Sequence, residues 1–374
     1  MDERLDPNPV LGPGGAIARR LAGYEARDEQ LQMADAVAQA IDAREHLMVE
    51  AGTGVGKSFA YLVPAILAAV ELGKKVVVST HTIHLQEQLL HKDIPFLRAV
   101  MPQEFSAVLV KGRGNYLSRR RLATAGERAD ASFARVEDLD DLATVTMWAA
   151  KTDDGSRSDL SFKPSAAVWD AVQSESGNCL GKKCRTYNDC FYFRARRRAW
   201  SASLLVVNHA LFLTDLALRA EGVSLLPDYD IAVFDEAHTL DAVAGEHLGL
   251  RLANTQLDYY LNKLYNERSR KGLLAYHDLG RSIRQVQQTR SAGEDFFARV
   301  VEWVGKNGAA NGRLRRPLPL ADTLSDELRR LSGAIRAEAE PLKKEEQRVE
   351  LIAAADRSDM LASHLSRWME QGEG

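Results

Sequence analysis

The feature that most constrains this chain is the octapeptide Ala51-Gly52-Thr53-Gly54-Val55-Gly56-Lys57-Ser58, which follows an apolar run at 46–49 and opens a helical pattern over 58–72. A strand, a glycine-rich turn and a helix beginning at Lys-Ser form the P-loop arrangement, here with Ala51 in place of the first glycine. Glycines let successive backbone N–H groups turn inward around a phosphate, and the helix N-terminus adds its positive dipole end. Lys57 then reaches the outer phosphates of a nucleoside triphosphate and Ser58 ligates Mg²⁺, with Gly52, Thr53, Gly54 and Gly56 forming the cradle. A glycine-rich turn that merely contains Lys-Ser is the plainer alternative, and the flanking patterns argue against it.

The surrounding sequence predicts an α/β fold with a parallel sheet. Val76-Val77-Val78 is β-branched and predicts a buried strand, while Thr82 is placed to cap a helix running through Gln88 and Leu90. Continuous apolar runs return at 204–207 and 231–234, as expected of strands covered on both faces. The second leads directly into Asp235-Glu236-Ala237-His238. A carboxylate at the C-terminal end of a parallel strand lies at the ligand edge of the sheet. Asp235 would hold Mg²⁺ through its water, and Glu236 would orient or deprotonate an attacking water. Read alone, the same string could be a solvated helix start with an aspartate cap. Upstream of the P-loop, Arg27 and Gln30 precede a helix, and an amide with both donor and acceptor suits an adenine edge, so ATP is the expected nucleotide.

The 374 residues carry a formal net charge of only −3, so the chain as a whole does not announce a nucleic-acid binder. Its basic residues are instead local. Lys111, Arg113 and Arg119 to Arg121 form one cluster; a second, between 182 and 198, includes Arg196 and Arg197 and is interleaved with Tyr187, Phe191, Tyr192 and Phe193. Cations bind phosphates and aromatic faces stack on unpaired bases, although a solvated face is the ordinary role of such runs. The three cysteines, Cys179, Cys184 and Cys190, share one short segment, which points to a metal or cluster site rather than a disulfide scaffold. The acidic N-terminus lacks the apolar core of a signal peptide. The longest apolar run, 59–70, contains Pro64 and is too short to span a bilayer, so a cytoplasmic protein with no membrane partner is expected.

In order along the chain stand the Gln30 segment, the P-loop, the stretch Ser79-Thr80-His81-Thr82-Ile83-His84-Leu85-Gln86-Glu87-Gln88, and the DEAH string. That order resembles the first motor domain of superfamily 2 helicases. Lys111-Gly112-Arg113-Gly114-Asn115-Tyr116-Leu117, the cysteine spacing and Val206-Val207-Asn208-His209-Ala210 narrow the resemblance to the DinG/XPD branch of DNA helicases. It covers about residues 20 to 245. It implies a RecA-like motor domain in two parts (1–110 and 201–248), an inserted basic, cysteine-containing iron–sulfur-type domain (111–200) and a helical arch-like region (249–374). It also implies 5′→3′ unwinding of single-stranded or forked DNA by a chain favoured as a monomer. Thr80, Thr82, Gln86, Lys111, Arg113, Tyr116, Arg196 and Arg197 would touch the strand, and His238 would couple the nucleotide to the domain interface.

Two departures matter. Ser118 stands where the family has its first cluster cysteine, so a [4Fe–4S] cluster would have three thiolates and an uncertain fourth ligand, and a cluster-free domain is the alternative. Nothing after residue 250 resembles a second motor domain with its arginine finger, so this chain alone is expected to hydrolyse ATP very slowly. Gly280-Arg281-Ser282-Ile283-Arg284 is read as an exposed basic helix face. An ATP-gated strand-binding module and a DEAH-type RNA helicase are the rival functions.

Overall fold

The computed structural model describes residues 4–371 apart from Thr53, 309–313, 315 and 316. Along the chain, α1 (Asp28–Ala43) and α2 (Lys57–Glu71) precede β1 (Val76–Thr80). Next come α3 (Ile83–Gln88), a π-helical turn (Leu89–Asp93), α4 (Ile94–Val100) and β2 (Ala107–Leu109). Helices α5 (Arg119–Glu127), α6 (Val136–Ala149), α7 (Ala166–Val172) and α8 (Phe191–Ser201) then lead to β3 (Leu204–Asn208) and α9 (His209–Ala220). After β4 (Ile231–Phe234) the chain is helical: α10 (Leu240–Leu248), α11 (Asn254–Leu264), α12 (Gly280–Asn307), α13 (Thr323–Ala339) and α14 (Glu345–Glu370), with shorter turns between. These elements group into two compact units, Met1–Gly112 with Arg194–Gly249, and Arg113–Phe193 with Leu250–Gly374.

The first unit is built on a four-stranded parallel sheet in the order β2-β3-β1-β4. Alternation along β1 and β3 explains why both strands read as unbroken apolar runs. Val76, Val78, Leu204 and Val206 enter one core with α2, α4 and the Ala34 and Ala38 face of α1. Val77, Leu205 and Val207 enter a second core with Leu211 and Phe212 of α9 and with Leu226. The switch in strand order puts the C-terminal ends of β1 and β4 side by side, with Ser79 paired to Phe234 and the Asp235 amide donating to the Ser79 carbonyl at 2.8 Å.

The strand expected at 46–49 is not formed. Those residues are irregular, and Leu47, Met48 and Val49 are 46%, 97% and 41% exposed. A four-residue apolar run becomes a strand only when a neighbour takes up its N–H and C=O groups. Here the sheet's ladders stop at β4, and the run, flanked by Glu45 and Glu50, stays in solvent.

In the second unit, Leu257, Tyr260, Leu261 and Leu264 of α11 and Leu324, Leu328 and Leu331 of α13 pack into one core with α12 and α14, as their helical spacing predicts. Helix α13 stops two residues before Pro341 and α14 begins at Glu345. Arg281 and Arg284 are exposed on α12, as a basic helix face requires. The segment 113–193 has apolar anchors of its own. Trp169 is 2% exposed and its Nε1 donates to the Gly114 carbonyl at 2.9 Å. Phe191, 1% exposed, lies so close to Gly155 that a Cβ there would fall 2.2 Å from its ring.

Candidate active site

Helix α2 begins at Lys57 because Gly56 takes φ +85°, a left-handed conformation natural to glycine, and Gly54 does the same at +86°. Glycine is needed at 56 for a second reason. A Cβ there would meet the Gln30 Nε2 atom at 2.1 Å. Gln30 is 4% exposed and reaches across from α1, donating through Nε2 to the Gly56 carbonyl at 2.9 Å, while its Oε1 lies 2.9 Å from the Tyr24 hydroxyl. The amide is thus engaged by the loop, with one N–H and one lone pair left over for a base. Arg27 caps α1 and sets its Nη1 3.8 Å from where a Gly54 Cβ would be. Gly52 is exposed, and Thr53 lies outside the described residues.

Asp235 and Glu236 follow β4 at the same edge of the sheet. Lys57 Nζ lies 3.5 Å from Glu236 Oε1, and Glu236 Oε2 lies 3.5 Å from His238 Nδ1. Glu236 holds φ +58°, a conformation that costs a non-glycine residue about 1–2 kcal/mol and aims its carboxylate back at the P-loop lysine. Burial pushes the Asp235 carboxyl above its usual range, Glu236 adds to the shift, and Lys57 opposes it. His238 is 75% exposed in a short 3₁₀ turn.

Two further residues belong to this edge and were not singled out by motif. Asp93, 6% exposed at the end of the π-helical turn, lies against Ser58; burial raises its pKa, while Lys92, Gln88 and Ser58 counter it, and Oδ2 has no hydrogen-bond partner. Tyr61, one turn into α2, is driven well above its usual pKa by burial and by the Asp235 carboxylate, with Ser58 opposing; its hydroxyl faces both groups but has no well-formed hydrogen bond to either. Orphaned buried oxygens around a hydroxyl and two carboxylates form a donor set suited to a hydrated Mg²⁺, which needs only one or two protein ligands. The sequence signal for Asp93 was a lone carboxylate directly before Ile94-Pro95, which has no motif to make it stand out.

Residues 30–151 match the family model of DEAD/DEAH box helicases. The chain carries a DEAD/DEAH box helicase domain. It is homologous to the ATP-dependent DNA helicase YoaA of Escherichia coli strain K12, 40% identical over 252 residues, which is 66% of this chain and 38% of that protein. The ATP-dependent helicase DinG of Mycobacterium tuberculosis strain H37Rv is 38% identical over 241 residues, 60% of this chain and 36% of its own length. The 3′-5′ exonuclease DinG of Bacillus subtilis strain 168 is 32% identical over 292 residues, 77% of this chain and 30% of that protein. The chain therefore spans between 30% and 38% of the length of these relatives. A solved XPD helicase gives a TM-score of 0.47 at 16% identity, covering 91% of this chain and 51% of its own.

The helicase domain's expected strand-contact residues fall into different surroundings. Thr80 ends β1, fully buried, with an unpartnered Oγ1; Gln86, 2% exposed, has an unpartnered Nε2. Thr82 is exposed and caps α3, accepting from the Leu85 amide at 3.2 Å. Lys111 is half-buried, and Arg197 is exposed on α8. Arg196 lies 4.2 Å over the Trp200 ring and donates to the Ser224 carbonyl at 3.1 Å. In the second unit, Arg113 stacks 4.1 Å over Tyr192 and donates to the Glu175 carbonyl at 3.1 Å, and Tyr116 is 3% exposed against Tyr192. These last two hold the fold of their own segment.

The cysteines do not gather. All three are half-buried thiols, and among the described residues no three His, Cys, Asp or Glu side chains converge on a metal position. Cys179 Sγ accepts from the Gly181 amide at 3.4 Å, and Cys184 Sγ lies 3.3 Å from the Thr186 hydroxyl. Ser118 caps α5, its Oγ accepting from the Arg121 amide at 3.4 Å. Three cysteines that form no metal-holding group and an engaged hydroxyl do not fit a four-thiolate iron–sulfur cluster.

Proposed function

We propose that this chain is the ATP-binding motor portion of an ATP-dependent DNA helicase of the DinG/YoaA type, which couples hydrolysis to 5′→3′ movement along single-stranded DNA. The observation that carries the reading is the convergence of Lys57, Glu236 and Asp235 at the edge between the P-loop and β4, with Glu236 3.5 Å from the lysine it faces. Lys57 would bind the outer phosphates and Glu236 would orient the attacking water. Ser58 and Asp235 would hold Mg²⁺, which supplies charge to offset the phosphates. Arg27 and Gln30 would meet the base, and His238, exposed beside Glu236, would report nucleotide state to neighbouring structure. Thr82, Lys111 and Arg197 are the proposed phosphate contacts, because Thr80 and Gln86 are buried. A monomer acting in the cytoplasm fits this reading; among the described residues no helix is long and apolar enough to cross a membrane.

The test is nucleotide binding and strand-stimulated hydrolysis by the wild-type chain and by Lys57→Ala. Mg·ATP binding that disappears in the variant, with turnover raised by single-stranded DNA above that raised by RNA of the same sequence, is the expected result. Preference for RNA would favour the DEAH-type RNA helicase, and ATP-dependent strand retention without any turnover would favour a gated binding module. Wild-type binding that survives Lys57→Ala unchanged would overturn the site. The cysteine segment is assigned no cluster. Near-stoichiometric iron and sulfide in protein purified without oxygen, lost on Cys184→Ser, would reverse that assignment.

A further inference from the structure

The helical unit contains a cavity of about 450 Å³ between α5, α7, α11 and α14, within the range of small-molecule sites. Seven cationic and four anionic side chains line it, leaving three positive charges in excess. Its innermost arginines are each held by two neutral oxygens, and Arg121 also pairs with a carboxylate. Arg120, 3% exposed, donates to the Asn178 carbonyl at 2.8 Å and to the side-chain Oδ1 of the same residue. Arg121, 5% exposed, donates to the carbonyls of Gln173 and Asp170 at 2.6 and 2.7 Å, with Glu175 at 3.3 Å and its Nε left without a partner.

Two solvent-exposed cations at the rim have no such support. Among the described residues, no carboxylate comes within salt-bridge distance of Lys263 on α11 or of Arg357 on α14. Crowding by the surrounding wall lowers the pKa of Lys263, exposed as it is at the rim, and Arg121 lowers it further against the smaller pull of Asp170 and Glu175; Arg357 also opposes its charge. Lys263 and Arg357 are exposed to solvent at the rim of the cavity while Arg120 and Arg121 are buried in it, and like charges gathered around one recess favour an anion there.

We propose that this cavity is a binding site for a terminal phosphate monoester, held by Lys263 and Arg357 above the Arg120–Arg121 floor. A mononucleotide fits the volume, and Tyr259, 44% exposed on the wall, offers a ring face beside it. The phosphate can belong to a free nucleotide or to the phosphorylated end of a strand; the chemistry of capture is the same. The site lies within the unit that lacks the P-loop, so it stands or falls independently of the helicase reading.

The experiment uses the full chain carrying Lys57→Ala, which silences the P-loop. Titrations with AMP, inorganic phosphate, and a short oligonucleotide with and without a 5′-phosphate are followed calorimetrically. In parallel, acylation of Lys263 is followed by peptide mass analysis. Saturable AMP binding that protects Lys263 from acylation is expected. Affinity should fall about tenfold or more in Lys263→Met and be largely restored in Lys263→Arg, the loss of one charge-assisted hydrogen bond. Stronger binding of the 5′-phosphorylated oligonucleotide than of AMP would assign the site to strand ends, and the reverse to free nucleotide. Absence of protection of Lys263 by every phosphate probe would overturn the proposal, whether or not the variants fold. So would unchanged affinity in a folded Lys263→Met.

Discussion

Lys57 in the sheet-containing unit and Arg113 in the helical unit both sit beside glycines in basic or phosphate-binding motifs, yet their surroundings differ. Lys57 is one-third exposed and faces a carboxylate, Glu236, that a bound phosphate can replace as its partner. Arg113 lies on the Tyr192 ring and on a backbone carbonyl, contacts that hold segment 113–193 together. Arg119 over Phe191 at 4.5 Å and Arg121 on two carbonyls repeat the second pattern. The lesson is that basic residues clustered in sequence can serve as internal struts. A guanidinium keeps its charge when buried and has five donors with which to tie loops together.

Four measurements would break or sharpen this contrast. The largest effect is expected for Glu236→Gln, which should lower single-turnover ATP hydrolysis by about 10²–10⁴-fold while leaving nucleotide binding intact. Unchanged hydrolysis would remove Glu236 from the water-orienting role. Arg113→Ala should lower urea-denaturation stability by about 2–4 kcal/mol, the joint loss of a cation–π contact and a charged hydrogen bond. A change confined to strand affinity would return Arg113 to the binding surface.

A smaller effect concerns His209, fully buried with its Nδ1 2.7 Å from the Ser79 hydroxyl beneath the Asp235 turn. Burial lowers its pKa below the ordinary 6.5, with His81 adding to the effect and the Asp235 and Glu236 backbone opposing it. The folded state therefore binds this proton less readily than the unfolded state. The stability that depends on neutral His209 is present above the unfolded value and is lost as pH falls through about 6.5 toward the lowered one. His209→Gln should flatten that part of the wild-type stability profile; an equally steep profile would assign the pH dependence elsewhere. The smallest change is expected for Arg197→Ala. It should leave stability within about 0.5 kcal/mol and reduce the log–log salt slope of single-strand binding by about 0.7. A stability loss like that of Arg113→Ala would make Arg197 another strut.

Much of the candidate nucleotide site was legible because its geometry is local. A glycine-rich turn and the helix it starts are neighbours in sequence, and the acidic turn comes directly after its own strand. Apolar runs located β1, β3 and β4; β1 and β3 are buried on both faces and need apolar residues throughout, while β4 is a half-buried edge strand. Gln30 illustrates a half-legible residue. Its place upstream of the P-loop marked it, but its bond to the Gly56 carbonyl depends on how α1 packs against α2.

Left to tertiary structure were the features that depend on which distant groups meet. Residues 46–49 have the composition of a strand, but no ladder reaches them. Asp93 joins the nucleotide edge only because a π-helical turn carries it back against Ser58. The three cysteines have cluster-like spacing, yet among the described residues they do not form a group that could hold a metal ion. The sequence by itself determined the P-loop turn, the strands of the sheet and the residues proposed for phosphate chemistry, which follow from short-range backbone conformation and side-chain periodicity. Only the fold decided which cations face solvent and which hold the interior, because burial and partner choice are set by residues far away along the chain.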